Sequence, residues 1–158
     1  MICIEGEKIV LRSVDSSDID TILLWENSSA EPLYGVYEEQ YTREDVAQFV
    51  ENQQRYSLAQ TEQLRLMICS HSGERLGCVD LSEYDGKKAF VSILIFDLYN
   101  RRKSFAENAL HLMIDYAKSL DLQTLYANIL PENLPSISLF EKVGFAPLES
   151  GIYSKSIR

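Results

Sequence analysis

Arg101-Arg102-Lys103-Ser104 is the run of this chain whose residue types and placement most directly suggest chemistry. The chain carries 24 acidic against 15 basic residues and a formal net charge of −9, so three consecutive cations are locally out of character. They stand between a β-prone run, Lys88 to Phe96, and a helical pattern that begins at Phe105. A helix N-terminus offers unpaired N–H groups and the positive end of its dipole, which suits an anion. Flanking Arg and Lys add charge-assisted hydrogen bonds, and a pyrophosphate would fit there. The alternative is a solvated turn in which Ser104 only caps the helix. Other phosphate and nucleophile signatures are missing: there is no GxxxxGK[ST], no GxGxxG after a strand and no GxSxG elbow.

Those residues need a scaffold, and the sequence supplies a soluble one. A length of 158 residues predicts one domain covering 1–158, large enough to bury a core without disulfides. The 46% hydrophobic and 25% charged fractions exclude a disordered or fibrous chain. Cys3, Cys69 and Cys78 are an odd number with no CxxC spacing, and His71 and His111 lack ligand spacing, so neither a disulfide framework nor a metal site is expected. Cys69 and Cys78 read as small buried hydrophobes. With no signal-like N-terminus and no apolar run of about 18 residues, a cytoplasmic protein without a membrane partner is expected. The acidic balance argues against nucleic acid and favours cationic small molecules.

Periodicity predicts the elements. Lys8 to Arg12 reads as a strand, and Asp15 and Asp18 mark a helix start whose helix reaches Asn27 or Ser28. Thr42 and Asp45 open a second helix with Val46, Phe49 and Val50 on its apolar face. Leu64 to Ser70, Glu74 to Tyr84 and Lys88 to Phe96 form an antiparallel meander whose last turn is Asp85-Gly86. A long helix follows, with Phe105, Ala109, Leu112, Met113, Tyr116, Ala117 and Leu120 on one stripe. Gln123 to Leu130 is a strand, Pro135 fits a first helical turn, Gly144 ends that helix, and Phe145 to Glu149 and Ile152 to Ile157 pair as final strands. A meander followed by one βαβ crossover gives an α+β fold, a mixed and mostly antiparallel sheet flanked by about four helices.

Arg101 to Ala106 resembles the RxxGxG/A acetyl-CoA loop of the GCN5-related N-acetyltransferases (GNAT), with Asn108-Ala109-Leu110 following. Glu132-Asn133-Leu134-Pro135-Ser136 and Leu139-Phe140-Glu141-Lys142-Val143-Gly144-Phe145 resemble the same family's NxxSxxLYEKxGF segment. The opening IVLRSVDSSDIDTILLWEN is similar to the branch that acetylates ribosomal-protein N-termini and diamines. The resemblance implies a splayed central strand pair, with pantetheine held against the backbone of Ile93, Leu94 and Ile95 and the pyrophosphate held by Arg101, Arg102, Lys103, Ser104, Phe105 and Ala106. It places Asn133 and Ser136 at the pantetheine and Lys142 along the adenosine side; Asn133 alternatively caps its helix, and Lys142 alternatively faces solvent.

Two residues depart from the pattern. Ser104 stands where the family usually has Gly, and Phe140 stands where many relatives carry a Tyr that protonates the departing thiolate. Phenylalanine cannot donate that proton, so solvent, another hydroxyl such as Tyr126 or Ser136, or no group at all supplies it, a CoA thiolate being already a tolerable leaving group. The attacking amine must lose a proton, normally to a carboxylate. Asp80, inside an apolar run, is the first candidate, and Glu83 and Glu26 follow; a solvent-facing strand acid is the alternative reading of Asp80. Trp25, Glu26, Tyr34 and Tyr37 fall where the family places its acceptor wall, and aromatics there suit a cationic amine, although Trp25 alternatively packs in the core and the tyrosines are the better recognition candidates. The expectation is an acetyl-CoA-dependent N-acetyltransferase acting on a primary amine, a small cation or a protein N-terminus, in a ternary complex without metal, and a homodimer by family analogy. The alternatives are a catalytically silent acyl-CoA-binding or sensing module and an interaction domain without a CoA site.

Overall fold

Two helix starts in this chain are built from pairs of residues three apart. The Asp15 carboxylate accepts from Ser17 N at 2.8 Å, and Asp18 Oδ2 accepts from Asp15 N at 2.9 Å, opening a 3-10 turn at Ser16–Asp18. Thr42 and Asp45 repeat the arrangement: Thr42 Oγ1 accepts from Asp45 N at 3.1 Å and Asp45 Oδ2 accepts from Thr42 N at 2.9 Å. Each box satisfies two otherwise orphaned N–H groups, and losing a cap of this kind costs about 1 kcal/mol.

The computed structural model describes residues 1–28, 40–96 and 104–158. Their elements run β1 (Cys3–Glu5), β2 (Val10–Ser13), the 3-10 turn, α1 (Ile19–Ser28), α2 (Arg43–Arg55), α3 (Leu58–Thr61), β3 (Leu64–Cys69), β4 (Arg75–Ser82) and β5 (Lys88–Ile95). After them come α4 (Phe105–Ser119), β6 (Thr124–Asn128), α5 (Leu134–Lys142), β7 (Ala146–Glu149) and β8 (Ile152–Ser156). The strand at Lys8 to Arg12 is shifted to Val10–Ser13, and β1 and the four-residue α3 were not foreseen. The described residues hold five α-helices, in keeping with the expected fold of about four. Both additions are too short to show a period of their own.

The described residues form two compact units, Val14–Ser57 and the remainder, Met1–Ser13 with Leu58–Arg158. In the first unit, the Asn27 amide accepts from Tyr41 N at 2.9 Å and donates to Tyr41 O at 3.2 Å. That pair fixes the end of α1 beside the residues leading into α2. Val46 and Val50 are buried on the face expected of α2, and Trp25 is buried as well.

The second unit holds an eight-stranded sheet of order β1-β2-β3-β4-β5-β6-β8-β7. Every pairing is antiparallel except β5 with β6. At the β4–β5 turn the Asp85 carboxylate accepts from Lys87 N and Lys88 N at 2.9 and 2.8 Å. These bonds stabilise the ionised form and draw the Asp85 pKa below its ordinary value. One sheet face, carrying Leu11, Leu66, Ile68, Val79, Leu81, Ala89 and Val91, is buried in a core with Ala109, Leu110, Met113, Ile114 and Ala117 of α4. The buried stripe of α4 is turned slightly from the expected one: Leu110 and Ile114 are fully covered, whereas Leu112 and Tyr116 are half-buried. Burial, with Tyr84 nearby, raises the Tyr116 pKa.

Candidate active site

Strand β5 has two unlike edges. Along one it pairs with β4 from Gly77↔Ile95 to Ser82↔Phe90; along the other it pairs with β6 only at Lys88↔Thr124, Ala89↔Leu125 and Phe90↔Tyr126. Beyond that last rung the strands part, which is the splayed central pair that the resemblance implied.

Backbone alternation fixes what faces the opening. Phe96 N donates to Leu76 O, so Phe96, Leu94, Ser92 and Phe90 turn their N–H and C=O groups toward β4. Gln123 N donates to Lys87 O on the other side, so the odd-numbered residues, among them Val91, Ile93 and Ile95, address the β6 edge. Of the three residues expected to meet pantetheine, Ile93 and Ile95 have the required direction. Leu94 presents its backbone to β4 instead, because direction alternates residue by residue.

Ser104 stands at the start of α4. It adopts φ +63°, in the left-handed region that glycine prefers, and makes no side-chain capping bond. Ser104 thus occupies the N-cap position without its hydroxyl capping the helix, and its backbone takes the left-handed conformation open to glycine. Phe105 and Ala106 form the first turn of α4 and are half-buried. Arg101, Arg102 and Lys103, like Tyr34 and Tyr37, lie outside the described residues.

On the far side of the fork, Asn133 Oδ1 accepts from Ser136 N at 3.3 Å, so Asn133 does cap α5. Lys142 Nζ lies 3.0 Å from Glu107 Oε2, joining the end of α5 to the first turn of α4. His111 Nε2 is 3.9 Å from the same carboxylate. Phe140 is buried at 3% exposure and meets Phe145 edge to face, with ring centroids 5.0 Å apart. Its ring belongs to the core, and a hydroxyl there is not what packing requires.

Asp80 is not the solvent-facing acid of the alternative reading. It is 8% exposed, and Arg65 Nε and Nη2 reach its two carboxylate oxygens at 3.0, 3.1 and 2.8 Å. The two residues are direct partners across β3 and β4, so the register itself builds the pair. A buried, bidentate pair is costly to break from one side. Asp80 also stands opposite Ser92 on β5, two residues beyond the last β5–β6 rung. Glu83 is exposed at φ +50°, just past β4. Tyr126 is half-buried on the last rung itself. Trp25 and Glu26 lie on α1 in the other unit. Sequence reasoning missed Arg65 entirely; its one signal is a cation in an otherwise apolar strand, opposite an acid in another.

A family model described as an acetyltransferase (GNAT) domain matches residues 8–146. The chain belongs to the GNAT acetyltransferase family. An uncharacterized protein of Methanocaldococcus jannaschii is 24% identical over 152 residues, covering 93% of this chain and 30% of that protein. The chain thus spans about a third of that relative's length. A spermidine N-acetyltransferase from Vibrio cholerae, solved with CoA and spermine, has a TM-score of 0.75 at 19% identity, covering 92% of each chain. A ribosomal-protein α-N-acetyltransferase solved with coenzyme A has a TM-score of 0.75 at 17% identity, covering 98% of each chain. These neighbours share the GNAT fold. No helix among the described residues is long and apolar enough to cross a membrane.

Proposed function

We propose that the chain is one GNAT domain that transfers an acetyl group from acetyl-CoA to a primary amine. The observation that carries this reading is the β5 edge left open beyond the Phe90–Tyr126 rung, in the strand that precedes α4 along the chain. An extended amide-bearing arm can add to such an edge as a strand would, through Val91, Ile93 and Ile95, while its diphosphate meets α4 and the Arg101 to Lys103 cations.

In the proposed step the amine lone pair attacks the thioester carbonyl carbon, the C–S bond breaks, and CoA leaves as thiolate. The amine proton passes to a carboxylate directly or through water, and the thiolate takes up a proton. Asp80, oriented by Arg65 beside Ser92, is the first carboxylate proposed, and Glu83 the second. Tyr126 at the fork is the proposed proton source, since Phe140 has none to give. The net charge of −9 favours a cationic acceptor, and the likeness to spermidine and ribosomal-protein acetyltransferases supports a polyamine-like amine or a protein N-terminus. Ser104 and Phe140 together favour a second reading, a CoA-binding module without turnover.

The test is acetyl-CoA-dependent thiol release over polyamines, aminoglycosides and N-terminal peptides, with product masses. Turnover of one class is expected; silence across all three with acetyl-CoA still bound favours the second reading. Arg101→Glu/Arg102→Glu is expected to weaken acetyl-CoA binding at least about tenfold by reversing two diphosphate-facing charges. Unchanged affinity would remove the diphosphate from this loop.

A further inference from the structure

The closed end of the fork is not bare backbone. Phe90 and Tyr126, the last paired residues of β5 and β6, place their rings 5.5 Å apart at 35°, and Lys88 Nζ lies 6.0 Å from the Tyr126 centroid. Alternation puts Phe90 and Ser92 of β5 and Tyr126 of β6 on the face opposite the core. On the core face, Ala89, Val91, Leu125 and Ala127 are 0–2% exposed, so nothing can be accommodated there without displacing packed atoms. On the opposite face Ser92 is exposed and the two rings are half-buried.

Given the proposed CoA placement, on which this inference rests, the thioester approaches from Ile95 toward Phe90. An acyl group extending past the carbonyl then has one way out, the face carrying the ring pair. We propose that Phe90 and Tyr126 act as a size stop that admits an acetyl group and excludes longer unbranched acyl groups. The methyl of acetyl ends in front of the rings; each further methylene must push into them. Overpacking against rings held by a strand ladder is unfavourable, and single-methylene discrimination in apolar sites runs about 10- to 200-fold.

Binding tests this without an acceptor, because the stop acts on the thioester alone. CoA, acetyl-CoA, propionyl-CoA and butyryl-CoA are titrated calorimetrically into the native chain and into Phe90→Leu, Tyr126→Leu and Tyr126→Phe, with melting curves confirming that each variant folds. Butyryl-CoA is expected to bind the native chain at least about tenfold more weakly than acetyl-CoA. Either Leu variant is expected to bring the two within about threefold, while Tyr126→Phe keeps the native ratio because the ring and not the hydroxyl forms the stop. Equal affinities in the native chain, or a native ratio in both folded Leu variants, overturns the size stop and leaves the CoA site standing. Failure to bind any of the four ligands, free CoA included, overturns the CoA site and the size stop with it.

Discussion

The two edges of β5 are made by the same eight residues yet behave oppositely. Toward β4 the ladder is continuous, and at Gly77 the backbones approach so closely that an added Cβ would fall 1.9 Å from Leu94 O. Toward β6 only the first three residues pair. The difference lies in how each neighbour is connected. A tight turn at Asp85 and Gly86 delivers β5 directly against β4, whereas β6 returns only after a full helix and is free to diverge. The opening therefore arises from topology, with no special residue on β5 needed to create it.

Breaking the closed edge should have the largest effect. Gly77→Ala forces a methyl group into the Leu94 carbonyl, where the nearest atoms are the backbone of Leu94 and Ile95 with no flexible side chain to yield, and is expected to cost about 3 kcal/mol or more. Chemical denaturation checks this, and near-native stability would show that β4 and β5 can separate there. One strand further in, Arg65→Met leaves Asp80 buried without its guanidinium and is expected to cost about 3 kcal/mol. Arg65→Met/Asp80→Leu should return to within about 1 kcal/mol of the native chain. The double variant also sharpens the role of Asp80: folded but slow in acetyl transfer, it would keep the carboxylate in the chemistry, and folded with native rate it would leave the pair a purely structural one. At the open edge the smallest effect is expected. Ser104→Gly relieves a left-handed serine and should raise the melting midpoint by the equivalent of about 1 kcal/mol. A lowered midpoint would mean that the serine stabilises the start of α4.

Local features were legible in the sequence and long-range ones were not. The Asp15/Asp18 and Thr42/Asp45 boxes could be read because both partners lie within one turn. The meander could be read because its strands follow one another and its Asp85-Gly86 turn announces itself. The Arg65–Asp80 pair could not, since it depends on cross-strand register between residues fifteen apart. The insertion of β8 between β6 and β7 was equally hidden, because nothing in the final hairpin says which of its strands meets β6. Phe140 was read through its family position, whereas the structure assigns its ring to the packing with Phe145.

That insertion bears on how the molecule is made. During synthesis β6 emerges well before its outer partner, and β7, which comes next, is not the strand that joins it. One wall of the fork stays unbraced until Ile152–Ser156 has been translated and threaded into place, with Ile157 N finally bonding to Gln123 O. A nascent chain can thus pair its meander early, while the fork between β5 and β6 lacks its outer brace until β8 has been made.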